Sequence, residues 1–170
     1  MQQPPLDYQP QVADVETLRW SWDYSRDEWE ATLLARAGHE YKLRRDASRG
    51  VVFASHADQR WVLSVNDSEA HMHSDVEGAL SATLRGREIR FSDDTAVLKD
   101  SGGRWCGLTL TEQLRFTSGS DVLLTMAKRF WSKSGRRVRI TTTATGAAFP
   151  GRAMLVLLGF HAMVVREMNH

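Results

Sequence analysis

The chain has 170 residues, which is enough to bury a core and typical of one domain. Its content of 42% hydrophobic and 25% charged residues is ordinary for a globular protein and excludes a disordered or fibrous chain. A formal net charge of +1 is too balanced for a protein that binds nucleic acid, so we do not expect nucleic acid as a partner.

The lone cysteine and the opening residues bear on the cell compartment. Cys106 rules out an internal disulfide and fits a reducing cytoplasm, where we expect it to be a buried small hydrophobe. The first residues lack the charged segment and apolar run of a secretory signal. Because prolines up to Pro10 deny a helix, residues 1–17 are predicted to form an extended lead-in to one domain at 18–170.

Strand patterns run from residue 18 to about residue 145. Residues 18–24 alternate on a two-residue period, with their aromatic side chains on one face. Residues 26–37 fit either a strand or a short helix, because Ser25 and Glu28 form a capping-box pattern. Further strands are predicted at 41–45, 51–54, 60–65, 69–73, 80–85, 88–91, 96–99, 105–111, 113–117, 122–130 and 137–143, although 122–128 also has helical propensity.

Short strands joined by tight turns predict an antiparallel meander. About twelve such strands would close into a barrel whose lumen is too wide for its own side chains to fill. Residues 153–165 are apolar on every side of a helix, and such a helix has to be enclosed. Its length of ~20 Å falls short of the ~30 Å bilayer core, so no transmembrane segment is expected. The predicted fold is mainly β: a closed antiparallel barrel of about twelve strands around a buried hydrophobic C-terminal helix at about 150–167.

Two segments share a strand–turn–strand pattern with an acidic residue and a glycine between apolar strands: residues 41–53 (YKLRRDASRGVVF) and residues 96–107 (AVLKDSGGRWCG). With Phe149 and Pro150 before the helix, this pattern resembles the tubby-like superfamily, which includes tubby C-terminal domains, LURP-one-related proteins and phospholipid scramblases. The resemblance implies a closed barrel filled by its C-terminal helix. It also implies binding rather than catalysis, because tubby domains bind phosphoinositide headgroups through lysine and arginine. No stretch reproduces that lipid-binding motif, so no residue role is transferred.

The charges are unevenly distributed along the chain. All but one of the 21 acidic residues precede residue 122, and no acid lies between Val122 and Arg166. Residues 130–139 could form a hairpin with basic side chains at its tip. Strand alternation would place Arg137 and Arg139 on one face and the apolar neighbours on the other.

Clustered guanidinium groups suit phosphate oxygens because they donate in bidentate pairs. The predicted ligand-binding residues are Lys128, Arg129, Lys133, Arg136, Arg137 and Arg139. In the alternative interpretation these bases form a solvated hairpin and pair with the acidic strands.

A second hypothesis concerns metal. His71 and His73 would share one face of a strand, and Glu77 completes a His-x-His-x3-Glu spacing similar to the first metal motif of cupins. The flanking glycines and a second histidine motif of that family are missing. Two ordinary surface histidines are the simpler interpretation. His161, inside the apolar run, is predicted to be a buried neutral imidazole bonded to a backbone carbonyl.

The sequence contains no nucleophile elbow, no convincing cysteine–histidine pair and no phosphate-cradling glycine loop. We therefore expect a non-catalytic binding or scaffolding module without a cofactor. Its expected partners are anionic phosphate groups of phosphoinositide or phospholipid headgroups, or a protein. The expected location is the cytoplasm, including the membrane periphery. The alternative is a metal-dependent, cupin-like enzyme that uses His71, His73 and Glu77.

Overall fold

The computed structural model describes residues 12–25, 27–106, 109–129 and 136–169, with the backbone alone for 103–106, 109–111 and 129. These residues form twelve strands and two helices. The strands are β1 (Val12–Ser25), β2 (Glu28–Ala35), β3 (Glu40–Asp46), β4 (Val51–His56), β5 (Gln59–Val65), β6 (Glu69–Ser74), β7 (Ala82–Arg85), β8 (Glu88–Phe91), β9 (Ala96–Cys106), β10 (Thr109–Ser118), β11 (Asp121–Arg129) and β12 (Arg136–Thr143). The helices are α1 (Ala144–Ala147) and α2 (Arg152–Met168).

The strands form one closed antiparallel barrel. Each strand pairs with its neighbours in chain order, and β12 pairs with β1 to complete the circle. Leu18 of β1 accordingly lies opposite Val138 on one side and Ala35 on the other. Each described strand therefore has a paired neighbour on both sides, as a closed barrel requires.

The apolar side chains of the strands point into the barrel. In β2 the residues Trp29, Ala31, Leu33 and Ala35 are buried, and the residues between them are more exposed. This two-residue period is what a sheet with one face on the core requires. The helix hypothesis for residues 26–37 is therefore wrong for residues 28–35. Pairing to β1 and β3 on both sides outweighs the local capping signal.

Helix α2 fills the lumen. Its residues 154–160 are all buried, so no side of the helix faces solvent there. The ring of Phe160 packs edge-on against Trp20 of β1, with ring centroids 5.1 Å apart. Gly159 lies against Phe116 of β10, while Gly151 at the other end of the helix lies against Phe91 of β8. Contacts to strands all around the sheet confirm the prediction of a barrel around a buried C-terminal helix.

The element boundaries differ from those expected. Strand β1 begins at Val12, within the predicted lead-in of residues 1–17, because residues 12–17 pair with the second half of β12. Strand β11 is extended despite its helical propensity, since β10 and β12 pair with it on both sides. Helix α2 spans Arg152–Met168, close to the predicted 150–167.

The turn from β12 into α1 depends on a close approach of two backbones. Gly146 of α1 packs so tightly that an added Cβ would lie 1.9 Å from the carbonyl oxygen of Leu123.

We expect Gly146→Ala to lower the free energy of unfolding by at least about 2 kcal/mol, because backbone atoms cannot yield as a flexible side chain can. Urea unfolding measures the loss. Gly102→Ala is the matched control, since nothing lies within 4 Å of its added Cβ. Equal stability of the two variants would contradict the close approach.

Candidate functional site

The six predicted ligand-binding residues do not share one surface. In β12, Arg137 and Arg139 are exposed on the outside of the barrel, and Val138 and Ile140 between and beyond them are buried. Arg129 belongs to β11 and pairs with Thr111. Its side chain lies outside the described part of the chain, as does Lys133 with the hairpin tip at 130–135.

Lys128 and Arg136 instead face the end of α2. The Lys128 side chain is only 3% exposed, and its Nζ lies 2.7 Å from Glu167 Oε2. The guanidinium of Arg136 reaches the other oxygen of the same carboxylate, at 2.6 Å. Both cations also lie over the ring of Trp20, at 4.8 and 5.8 Å from its centroid. They fasten the last turn of α2 to the barrel wall and complement the negative end of the helix dipole.

Arg19 joins Arg137 and Arg139 to form a cluster on the outer face of β1 and β12, which we call the outer arginine cluster. Arg19 lies directly opposite Arg137, and Arg139 lies opposite Thr17. Within the described residues none of the three arginines has a carboxylate at ion-pair distance. Like charges placed opposite each other on neighbouring strands repel, so an anion would relieve this cluster.

A concave site lies on the outer face of β2–β5 and has a volume of about 580 Å³. Phe53 of β4 contributes an aromatic surface to it. The groove's cationic side chains are Lys42, Arg44, Arg49 and Arg60, and its carboxylates are those of Glu30 and Asp75. We call this site the basic groove.

The charges of the basic groove are only partly neutralised. Lys42 pairs with Glu30 at 3.1 Å, and Arg49 lies 3.8 Å from Asp46. Among the described residues neither Arg44 nor Arg60 forms an ion pair. The guanidinium of Arg44 lies 5.2 Å from the centroid of the Phe53 ring, which holds its planar fork beside the groove.

Sequence reasoning missed the basic groove because its residues come from separate strands. Lys42 and Arg44 lie two positions apart on β3, and Arg60 is supplied by β5. The Lys-x-Arg spacing places two cations on one strand face, and it is the pattern in the sequence that could have indicated this site. That β5 would bring a third cation beside them follows only from the sheet order.

The metal hypothesis is not supported by the geometry of β6. One ring nitrogen of His71 lies 2.9 Å from Glu69 Oε2, and the other lies 3.2 Å from the hydroxyl of Thr83. Both nitrogens are therefore engaged. His73 is exposed and Glu77 follows the end of the strand. The described ranges contain no group of three or more His, Cys, Asp or Glu side chains that could hold a metal ion.

His161 is largely surrounded by protein, and burial lowers its pKa to about 4, assisted by the charges of Lys99 and Arg45. The imidazole is neutral at pH 7, as expected. Its ring packs against Trp29, with centroids 6.3 Å apart. The predicted hydrogen bond from the ring to a backbone carbonyl is not found. Among the described residues the ring forms no hydrogen bond, so that prediction is wrong there.

The N-terminal end of α2 carries a polar network in which each group has a partner. Arg152 donates to the hydroxyl of Tyr41 at 3.2 Å and to Thr142 Oγ1 at 3.1 Å. Its guanidinium also lies 3.6 Å from Glu16, whose other oxygen lies 2.7 Å from His39. Burial raises the pKa of Tyr41, so this phenol stays neutral and hydrogen-bonded. The network fixes where α2 begins.

Comparisons with protein-family models, with curated proteins and with solved structures found no match for this chain. In the part of the chain that the structure covers, no helix is both long enough and apolar enough to cross a membrane.

The Glu167 carboxylate neutralises the buried Lys128, which makes it a sensitive position. We expect Glu167→Gln to lower the free energy of unfolding by about 3 kcal/mol, because the buried ammonium group of Lys128 loses the opposite charge of Glu167. Chemical unfolding measures the loss. Glu88→Gln, which breaks a half-exposed ion pair with Arg90, is the matched control and should change stability little. A Glu167→Gln protein as stable as that control would refute the role of Glu167.

Proposed function

We propose that this protein is a non-catalytic binding module of the tubby-like superfamily that recognises phosphate groups through the basic groove. The closed barrel with an enclosed C-terminal helix is compatible with that superfamily. The proposal rests on one observation: four cations and two carboxylates line a concave site in which two guanidinium groups have no ion pair among the described residues.

The chemistry of the groove suits a phosphate. Arg44 and Arg60 offer planar forks that donate in bidentate pairs to phosphate oxygens. Phe53 limits the orientations of the Arg44 guanidinium, so less conformational entropy is lost when a ligand binds. Lys42 adds a third cation, held in place by Glu30.

Phosphorylated lipid headgroups are the ligands that the resemblance favours. Binding would be electrostatic, reversible and weakened by salt, and it would bring the protein to the cytoplasmic periphery of a membrane. The outer arginine cluster is a second candidate position for the same chemistry. It contains Arg137 and Arg139, two residues of the predicted hairpin site that lie exposed on the outer face of the barrel.

Vesicle co-sedimentation tests this proposal with two matched double variants. Arg44→Gln with Arg60→Gln removes two charges from the basic groove, and Arg137→Gln with Arg139→Gln removes two from the outer arginine cluster. We expect binding to phosphatidylcholine vesicles that carry a phosphoinositide to weaken at least about tenfold in the groove variant, because charged hydrogen bonds are lost. The cluster variant should bind like the unaltered protein.

The other outcomes are equally informative. Equal weakening in both variants would mean that net charge alone drives adsorption, and the groove would not be a site. Weakening only in the cluster variant would move the site to β12. Absence of binding by the unaltered protein would overturn lipid recognition.

A further inference from the structure

A second concave site lies at the end of the barrel where α2 begins and has a volume of about 400 Å³. It is formed by the start of β5, the loop that follows β6 and the first turn of α2. We call this site the rim pocket. Its apolar lining residues are Trp61, Val76, Ala79, Leu80, Pro150 and Met154.

The rim pocket adjoins the basic groove. Arg60, Trp61 and Asp75 line both sites. Trp61 lies opposite Ser74 in the β5–β6 register, so the next residue toward the barrel end is Arg60 on one side and Asp75 on the other. Because the two sites share these lining residues, one ligand can occupy both at once.

The two sites carry opposite charges that are not neutralised by ion pairs. In the basic groove these charges are the guanidinium groups of Arg44 and Arg60, as described above. In the rim pocket they are the exposed carboxylates of Asp58 and Asp75. Neither carboxylate has a cation at ion-pair distance in the part of the chain that the structure describes. A ligand that complements both sites therefore has a negative and a positive group close together.

The apolar walls of the rim pocket indicate which kind of cation fits. A primary ammonium group is strongly hydrated and needs acceptors for three N–H bonds. A quaternary ammonium group has no N–H bond, and its methyl groups can contact apolar side chains while carboxylates attract its charge. Tryptophan is the side chain that attracts such cations most strongly, and Trp61 lines the pocket. An uncharged hydrocarbon chain fits less well, because it would desolvate Asp58 and Asp75 without supplying a counter-charge.

We propose that the basic groove and the rim pocket together bind a phosphocholine group, in which a short ethylene linker joins a phosphate ester to a quaternary ammonium. The phosphate lies against Arg44 and Arg60, and the trimethylammonium group lies in the rim pocket beside Asp58 and Asp75. This inference rests on the proposed function, since it requires a phosphate in the basic groove, and it adds the class of headgroup. A headgroup without an ammonium group would use the basic groove alone.

NMR titrations of the full chain with three soluble phosphate monoesters test the proposal. Phosphocholine carries a quaternary ammonium, phosphoethanolamine a primary ammonium and glycerol 3-phosphate no cation. We expect phosphocholine to bind about tenfold more tightly than glycerol 3-phosphate, with phosphoethanolamine between them, because only the first satisfies both the carboxylates and the apolar walls. The amide signals of Val76 and Leu80, which line the rim pocket alone, should shift with phosphocholine and not with glycerol 3-phosphate.

A charge-matched pair of double variants assigns the preference to the rim pocket. In Asp58→Asn with Asp75→Asn, phosphocholine should bind no more tightly than glycerol 3-phosphate, and glycerol 3-phosphate should bind at least as well as before. Asp67→Asn with Asp121→Asn removes two other exposed carboxylates that line neither site, and the preference for phosphocholine should persist. The groove variant, Arg44→Gln with Arg60→Gln, should bind all three esters more weakly.

The outcomes separate this inference from the proposed function. Equal binding of phosphocholine and glycerol 3-phosphate by the unaltered protein would overturn the inference and leave the groove proposal standing, as would a preference that survives in the Asp58 and Asp75 variant. Phosphoethanolamine binding as tightly as phosphocholine would overturn the assignment of a quaternary ammonium. If none of the esters binds, the inference is overturned, and the vesicle test above decides the groove proposal independently.

Vesicles of phosphatidylcholine alone distinguish the two sources of a phosphocholine group. Co-sedimentation of the unaltered protein that weakens in the Asp58 and Asp75 variant assigns the headgroup of an intact lipid. Binding of free phosphocholine without co-sedimentation assigns a soluble phosphocholine compound. Co-sedimentation that is equal in the two proteins would overturn the assignment of the lipid headgroup to the rim pocket.

Discussion

A helix that is apolar on every side has to be surrounded by other apolar groups, and a barrel of twelve strands needs something inside it. In this protein each requirement satisfies the other. Residues 154–160 of α2 contribute a continuous apolar cylinder, and the inward side chains of the strands contribute the wall. Gly159 lies where helix and wall approach closely, since an added Cβ there would lie 2.6 Å from the sulfur of Met126.

The helix also dictates where charge is tolerated inside the barrel. Its first residue, Arg152, is held by Tyr41, Thr142 and Glu16, so a cation at the positive end of the helix dipole is compensated. At the opposite end Glu167 meets two cations. On the outer surface, water solvates the arginines of the outer arginine cluster, so they need no carboxylate partner among the described residues.

Periodicity in the sequence was sufficient to predict the barrel and the enclosed helix, since both depend on patterns within single segments. The candidate site could not be predicted in this way, because its side chains come from strands that are brought together only by the sheet order. Lys128 and Arg136 belong to the same basic run as Arg137 and Arg139, yet the first two contact Glu167 at the end of α2. Strand alternation divides β3 in a similar way, since Arg44 lines the basic groove and Arg45 lies on the other face of the strand. Neither division is visible until the register and the path of the helix are known.

Pairing of β1 with β12 joins residues that are more than a hundred positions apart in the chain, such as Leu18 and Val138. Contacts of such long sequence separation form late, because a large loop must be ordered before they stabilise anything. During synthesis the early hairpins therefore emerge before β1 has its partner β12 and before α2 can fill the barrel. The ring can close only after β12 has left the ribosome, and the interior is filled only once α2 follows. Until then the nascent strands expose unpaired edges and apolar surface that chaperones would need to shield.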